Sequence, residues 1–204
     1  KYEKYREYYQ GKYHLNDADM DAFIVLQKQN ADRYSEGYRR RIVDICHERG
    51  LSLASHDDAT SEHVHESAGF GMTIAEFPTT HEAAALSHQL GLKVLMGAPN
   101  VVRGGSHSGN IAATDLARNG VLDILSSDYY PASMLQSVRI LSQSDLGISL
   151  PQAVNMVSLA PARSANLPDR GQISPGLRAD LVQVKDTGGQ FVVRQVLREG
   201  QRVF

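Results

Sequence analysis

The sequence predicts a mixed α/β chain: the C-terminal half of an eightfold β/α barrel, followed by the strands of a small β unit. Three observations carry this. From Gly50 onward, strand starts fall at residues 51, 72, 92 and 121, each opened by a glycine and each followed by a polar loop and an amphipathic helical stretch. Every one of these strands ends in polar residues, namely Ser55-His56-Asp57-Asp58, Glu76, Asn100 and Ser127-Asp128. No G-x-G-x-x-G stands between a strand and a helix, so an open dinucleotide-binding sheet is disfavoured. Strands that each donate a polar group at their carboxyl end are how β/α barrels build active sites. Four units make half a barrel, and the chain opens at Lys1 with neither Met nor a leader. The expectation is therefore a piece of a longer polypeptide, with the first half of the barrel lying before Lys1.

The elements follow in order. Tyr2, Tyr5 and Tyr9 recur on one helical face, Asp21 to Gln29 and Tyr34 to Arg49 continue as helix, and Gly50 sits where a left-handed C-terminal cap belongs. The aromatic stripe reads as a packing face, and Arg39-Arg40-Arg41 as a solvated one. Strands are expected at 51–55, 72–77, 92–97 and 121–126. Helices are expected up to Ala68, from Thr80 to Leu90 and from about Asn110 to Asn119, then at Pro131 to Leu141 and Leu150 to Leu159. Residues 97 to 110 read as one long loop. The tail alternates short apolar runs, 179–184 and 191–197, with glycine turns. Residues 1–160 are thus assigned to the half barrel and 161–204 to the appended β unit.

Composition excludes several classes. Twenty-one Lys and Arg against 23 Asp and Glu leave a net charge of −2, without the basic excess of a nucleic-acid or anionic-membrane binder. No apolar run reaches the ~20 residues of a membrane span. One cysteine, Cys46, excludes an internal disulfide framework and a thiolate zinc cluster, and suits a reducing cytoplasm. The sequence leaves a homo-oligomer open.

Two strand ends and one loop carry the candidate chemistry. His56 supplies an imidazole metal ligand with carboxylate acceptors next to it, against the simpler reading of a hydrogen-bonded loop histidine. Asp128, at the equivalent end of the fourth strand, can bind metal or take a proton from water, and competes with a helix N-cap before Tyr129-Tyr130-Pro131. Glu76 is a ligand or a substrate acceptor. His63 and His65 lie two apart on a helix, point apart, and read as surface residues. The stretch from Gly97 to Asn110 combines glycines with Asn100, Arg103, Ser106, His107 and Ser108 ahead of a helix, the composition of a phosphate cradle. A flexible connector is its simpler reading. A Walker motif it is not.

Residues 54–60, 74–80, 96–110 and 125–131 resemble the phosphonate-metabolism members of the amidohydrolase superfamily, from the carbon–phosphorus lyase pathway. Asn155 to Arg163, Asp169 to Ile173, Gly176, Ala179 to Val182 and Gly200 are similar to that superfamily's C-terminal end. The resemblance implies a distorted barrel of amidohydrolase type, completed by a small β-sandwich. It implies hydrolysis of α-D-ribose 1-methylphosphonate 5-triphosphate to the 5-phosphate and diphosphate. It also implies a divalent metal, zinc or similar, as one or two ions. His56 then matches the fifth-strand ligand and Asp128 the eighth-strand aspartate, which is both ligand and catalytic proton acceptor. Asn100, Arg103, Ser106, His107 and Glu76 contact the substrate. Glu76-Phe77-Pro78 stands where the superfamily's sixth-strand histidine is usual, which puts a binuclear site in doubt. The first-strand His-x-His pair is expected before Lys1, so this fragment alone is expected to be inactive. The alternatives are a cyclic-amide hydrolase or deaminase on the same barrel, and a non-catalytic barrel serving as an assembly module. The phosphate loop speaks against the first, and the pair His56 and Asp128 against the second.

Overall fold

The computed structural model describes residues 2–106 and 109–204, which divide into two compact units, 1–49 and 50–204. The expected division at 160/161 falls inside the second unit. The first unit is two helices, α1 (Tyr2–Tyr13) and α2 (Asp17–Glu48). Helix α2 starts on Asn16, whose side chain accepts from the Asp19 N–H at 2.9 Å. The two expected helical segments, 21–29 and 34–49, are one continuous element. Nothing between them breaks the ladder, since residues 30–33 contain neither Pro nor Gly. Only Met20, Ile24 and Val43 of this helix are buried. The tyrosine stripe packs largely against itself and Phe23, with Tyr9 and Phe23 centroids 5.5 Å apart and the Lys12 ammonium above Tyr8, Tyr9 and Tyr13.

The second unit repeats strand and helix: β1 (Ala54–His56), α3 (Ser61–Gly69), β2 (Ile74–Glu76), α4 (His81–Gln89), β3 (Lys93–Gly97), α5 (Ala98–Arg103), α6 (Ala113–Arg118) and β4 (Ile124–Ser126). The four strands form one parallel sheet in chain order. They are shorter than the expected runs, although pairing begins earlier: the Leu53 carbonyl already accepts from the Thr73 and Ile74 N–H groups. Helices α3 and α4 start alike, on Thr60 and Thr80. They also end alike, each with a glycine in the left-handed region and the crossed terminal bonds of a Schellman turn, as at Gly91 N–H to His88 and Leu92 N–H to Ser87.

The alternation along the strands separates two faces. Ser55, Ala75, Val94 and Met96 are buried beneath the helices. Ala54, His56, Ile74, Glu76, Lys93 and Leu95 face the other way and are exposed or half-buried. In register, His56 pairs with Glu76 and Glu76 with Leu95, so these three share that open face.

The core is apolar and continuous, joining Val94, Met96 and Leu125 of the sheet to Leu116, Val138 and Leu141. It extends through α7 (Ser133–Gln143) and α8 (Leu150–Asn155), after which comes α9 (Leu159–Ser164). A three-stranded antiparallel sheet follows, β5 (Leu181–Asp186), β6 (Phe191–Arg198) and β7 (Gln201–Arg202). It is joined to the core by Phe191. The long loop expected over 97–110 is in part a helix. Pro99 fits its first turn, where a missing N–H is harmless, and Gly104 at φ 76° closes its end.

Candidate active site

The carboxyl ends of the parallel strands share an unusual backbone. Asp57, Phe77 and Asp128 have φ of 61°, 53° and 49°. This left-handed region costs a non-glycine residue about 1–2 kcal/mol. Asp57 and Phe77 still extend the ladder, their N–H groups donating to Glu76 and Leu95 carbonyls at 3.0 and 2.9 Å. The chain then turns off the sheet at once. Strain of this kind persists where surrounding structure enforces it, typically at functional sites.

The enforcing contacts are present. Asp58, nearly buried, accepts from Ser67 Oγ at 3.0 Å. Its carbonyl accepts from the Thr79 N–H at 2.9 Å, and Thr80 Oγ1 donates to the Ala59 carbonyl at 2.9 Å. The loop after β1 is thereby stitched to the loop after β2.

These three strained residues line one cavity of about 160 Å³. Arg103, Ser106 and Asn110 complete its polar wall, and Pro78, Met96 and Ile111 its apolar one. Complete ligand pockets run to about 300–1,000 Å³. This one is sized for part of a larger substrate. Gly97 also lines the cavity, and a Cβ there would come into ordinary contact with the Asp128 side chain, with Oδ2 at 3.4 Å. Asp128 does not cap a helix, because α7 begins only at Ser133. Among the described residues its side chain makes no hydrogen bond. Arg103, in the last turn of α5, donates to the Tyr129 hydroxyl and lies over that ring at 5.8 Å.

The expected residues are therefore only partly gathered. Asp128, Arg103, Ser106 and Asn100 line the cavity, whereas His56 and Glu76 do not. His56 stands 59% exposed on the open sheet face, its Nδ1 3.5 Å from Asp57 and its ring edge-on to Phe77. Glu76 lies beside it in register. His107 and Ser108 lie outside the described residues. His63 is exposed, as expected, and its Nδ1 accepts from the Ala59 N–H. The helix after the loop begins at Ala113 rather than Asn110 and is six residues long, so it adds no strong anion site of its own. Sequence reasoning assigned Asp57 only an accessory part, yet Asp57 reaches the cavity. The one signal that marks it is its position directly after a strand, where an aspartate tolerates the left-handed turn better than most residues.

A catalytic zinc ion needs about three protein donors. Among the described residues no three His, Cys, Asp or Glu side chains come together to hold an ion. His56 and Asp128 are donors of a kind that zinc takes, and among the described residues no third joins them.

Comparison with known proteins places this geometry. The model of the Amidohydrolase family matches residues 33–203. The chain belongs to the amidohydrolase family. This amidohydrolase chain is 54% identical over 203 residues to the alpha-D-ribose 1-methylphosphonate 5-triphosphate diphosphatase of Escherichia coli K12, covering 99% of itself and 54% of that protein. It thus spans about half the length of its relative. Among solved structures it resembles the N-acetylglucosamine-6-phosphate deacetylase of Pasteurella multocida, with a TM-score of 0.59 at 14% identity over 80% of this chain and 53% of that one. It also resembles a zinc-bound adenosine deaminase from Xanthomonas campestris, with a TM-score of 0.56 at 13% identity over 80% and 47%. At such identities the likeness is one of fold.

Proposed function

We propose that the intact protein hydrolyses α-D-ribose 1-methylphosphonate 5-triphosphate to the 5-phosphate and diphosphate, a step of phosphonate catabolism in the cytoplasm. The observation that carries this is the 54% identity to the E. coli diphosphatase across 99% of the chain. The cavity supports it, because an exposed carboxylate, Asp128, shares the pocket with Arg103 and Ser106. In this reading the parallel sheet is half of a β/α barrel and the antiparallel sheet part of a small β-sandwich. His56 and Asp128 are this chain's share of the donors to a divalent ion, zinc or similar, one or two in number. Such an ion supplies positive charge beside phosphate oxygens.

The chain's own residues have distinct parts. Asp128 accepts the proton of the attacking water, whose oxygen forms the new bond to phosphorus while the anhydride bond to the departing diphosphate breaks. The Arg103 guanidinium pairs with oxygens of the leaving group, and Ser106 donates to them. Glu76 and His107 are assigned to the substrate's outer contacts. The test is product analysis: the intact protein, given the ribosyl triphosphate, releases diphosphate and the 5-phosphate in equal amounts. Release of orthophosphate alone, or no turnover of the triphosphate beside hydrolysis of a cyclic amide, overturns the reading.

A further inference from the structure

We infer that Asn100 is a positioning residue: its side chain ties the far end of the loop carrying Ser106 back to α5, whose own end its backbone carbonyl helps to close. The observations all lie on this one residue. Its backbone carbonyl accepts from the Gly105 N–H at 3.0 Å, where the chain leaves α5. Its side-chain Nδ2 donates to the Ile111 carbonyl at 3.3 Å, and its Oδ1 accepts from the Ala113 N–H at 2.9 Å, where the chain enters α6. A carboxamide presents its NH2 donor and its carbonyl acceptor in a single plane, and the partners fix which is which, a carbonyl needing a donor and an N–H an acceptor. Asn100 is 9% exposed although it lines the cavity. One amide N–H and one carbonyl lone pair are engaged by the loop's own backbone.

The consequence for the loop is entropic. Its ends must be held together against the freedom of a glycine-rich segment, and a short, pinned closure reduces the conformations from which Ser106 has to be selected. Asn100 and Arg103 also stand three apart on α5, so the same fastening sets the helix end from which Arg103 extends. The bearing on substrate rests on the function proposed above, whereas the fastening itself does not.

The test is amide hydrogen exchange on the intact protein, read at Gly105 and Ala113 without substrate, beside KM, kcat and inhibition by inorganic diphosphate. Asn100→Ala should speed exchange at Ala113 by roughly tenfold or more, the scale of two lost hydrogen bonds. It should raise KM and weaken diphosphate inhibition more than it lowers kcat. Asn100→Asp keeps the acceptor for Ala113 and loses the donor for Ile111, so it should restore protection at Ala113 but only part of the KM. It also serves as the readable variant if Asn100→Ala does not fold. Unchanged exchange at Ala113 in Asn100→Ala overturns the fastening. Unchanged exchange with a raised KM means that Asn100 touches substrate directly, which overturns it as well. Faster exchange with unchanged KM and inhibition overturns the positioning role. Absence of diphosphate release in the unsubstituted protein removes the proposed function instead, and leaves the exchange result to decide the fastening.

Discussion

The two ends of the parallel sheet use aspartate in opposite ways. At the amino ends of the strands, Asp123 is saturated: His88 Nδ1 and Lys93 Nζ approach its two oxygens at 3.1 Å, and the Val94 N–H donates at 3.0 Å. At the carboxyl ends, Asp57 and Asp128 sit on left-handed backbone and face a cavity. One carboxylate is placed where a lysine, a histidine and a backbone N–H meet its oxygens. The others are held with their oxygens available, on a backbone that would relax if it could. The difference teaches how a single sheet separates work: one end contributes stability, and the other is stabilised by the rest so that it can hold reactive groups.

The comparison can be broken most directly at Asp128. Asp128→Asn should keep the thermal midpoint within a few degrees while turnover falls by at least ~10², the usual scale for a lost general base. Turnover within a few-fold of the original would place Asp128 with the structural carboxylates. Next in size is Arg103. Arg103→Ala should weaken binding of the triphosphate by about tenfold or more, and of the monophosphate less, with Arg103→Lys recovering part, because an ammonium lacks the two-pronged geometry. Equal weakening of both ligands, measured at fixed salt, would remove Arg103 from the outer phosphates.

Asp123→Ala tests the other end. It strands the Val94 N–H and should lower unfolding free energy by about 1–3 kcal/mol, while turnover per folded molecule stays as it was. A denaturant titration beside an active-site count decides it. Smaller still, Asp57→Gly relieves the left-handed turn, and stability should rise or hold within about 1 kcal/mol while activity declines. A loss of stability there would show that the backbone at Asp57 is not strained.

The smallest effect lies away from both ends, in the antiparallel sheet. The Glu199 N–H, at 2.8 Å, and then Arg178 hold the Asp180 carboxyl below its usual range, and Arg170 does the same for Asp169. A depressed carboxyl stabilises above its ordinary value near ~3.9 and stops doing so as pH falls through its folded-state value. Acid should therefore loosen the segment around residues 169–200 somewhat before the parallel sheet. Exchange protection in β5 and β6, followed downward in pH, reads it, and Asp180→Asn should flatten the trend.

Much of the fold was legible because the chain repeats itself. The glycines at 71, 91 and 120 mark the helix exits, and the apolar runs behind them mark the strands. Helix α5 was not legible: a Pro and a nearby Gly-Gly pair read as loop signals, although here they open and close a six-residue helix. Residue type singled out Asp128, Arg103 and Ser106, and all three lie along one cavity. Asn100 was singled out by its type, and nothing in a sequence shows that its carboxamide meets the backbone of its own loop. That Asp57 lines the cavity and His56 does not has a geometric reason. Successive residues of a strand end point to opposite sides, and the left-handed turn at Asp57 aims that side chain into the cavity that the histidine does not line.

The bare face of the parallel sheet has a practical consequence. Among the described residues strand β1 has a hydrogen-bonded neighbour on one side only, and Ile74 and Leu95 stand half-buried on the face it shares. Parallel sheets are ordinarily sheltered on both sides, and an unshielded strand margin is a template for another chain. The polypeptide should therefore be prone to adhere to its own copies as concentration rises. The same surface would make it a ready client for chaperones that grip exposed β structure.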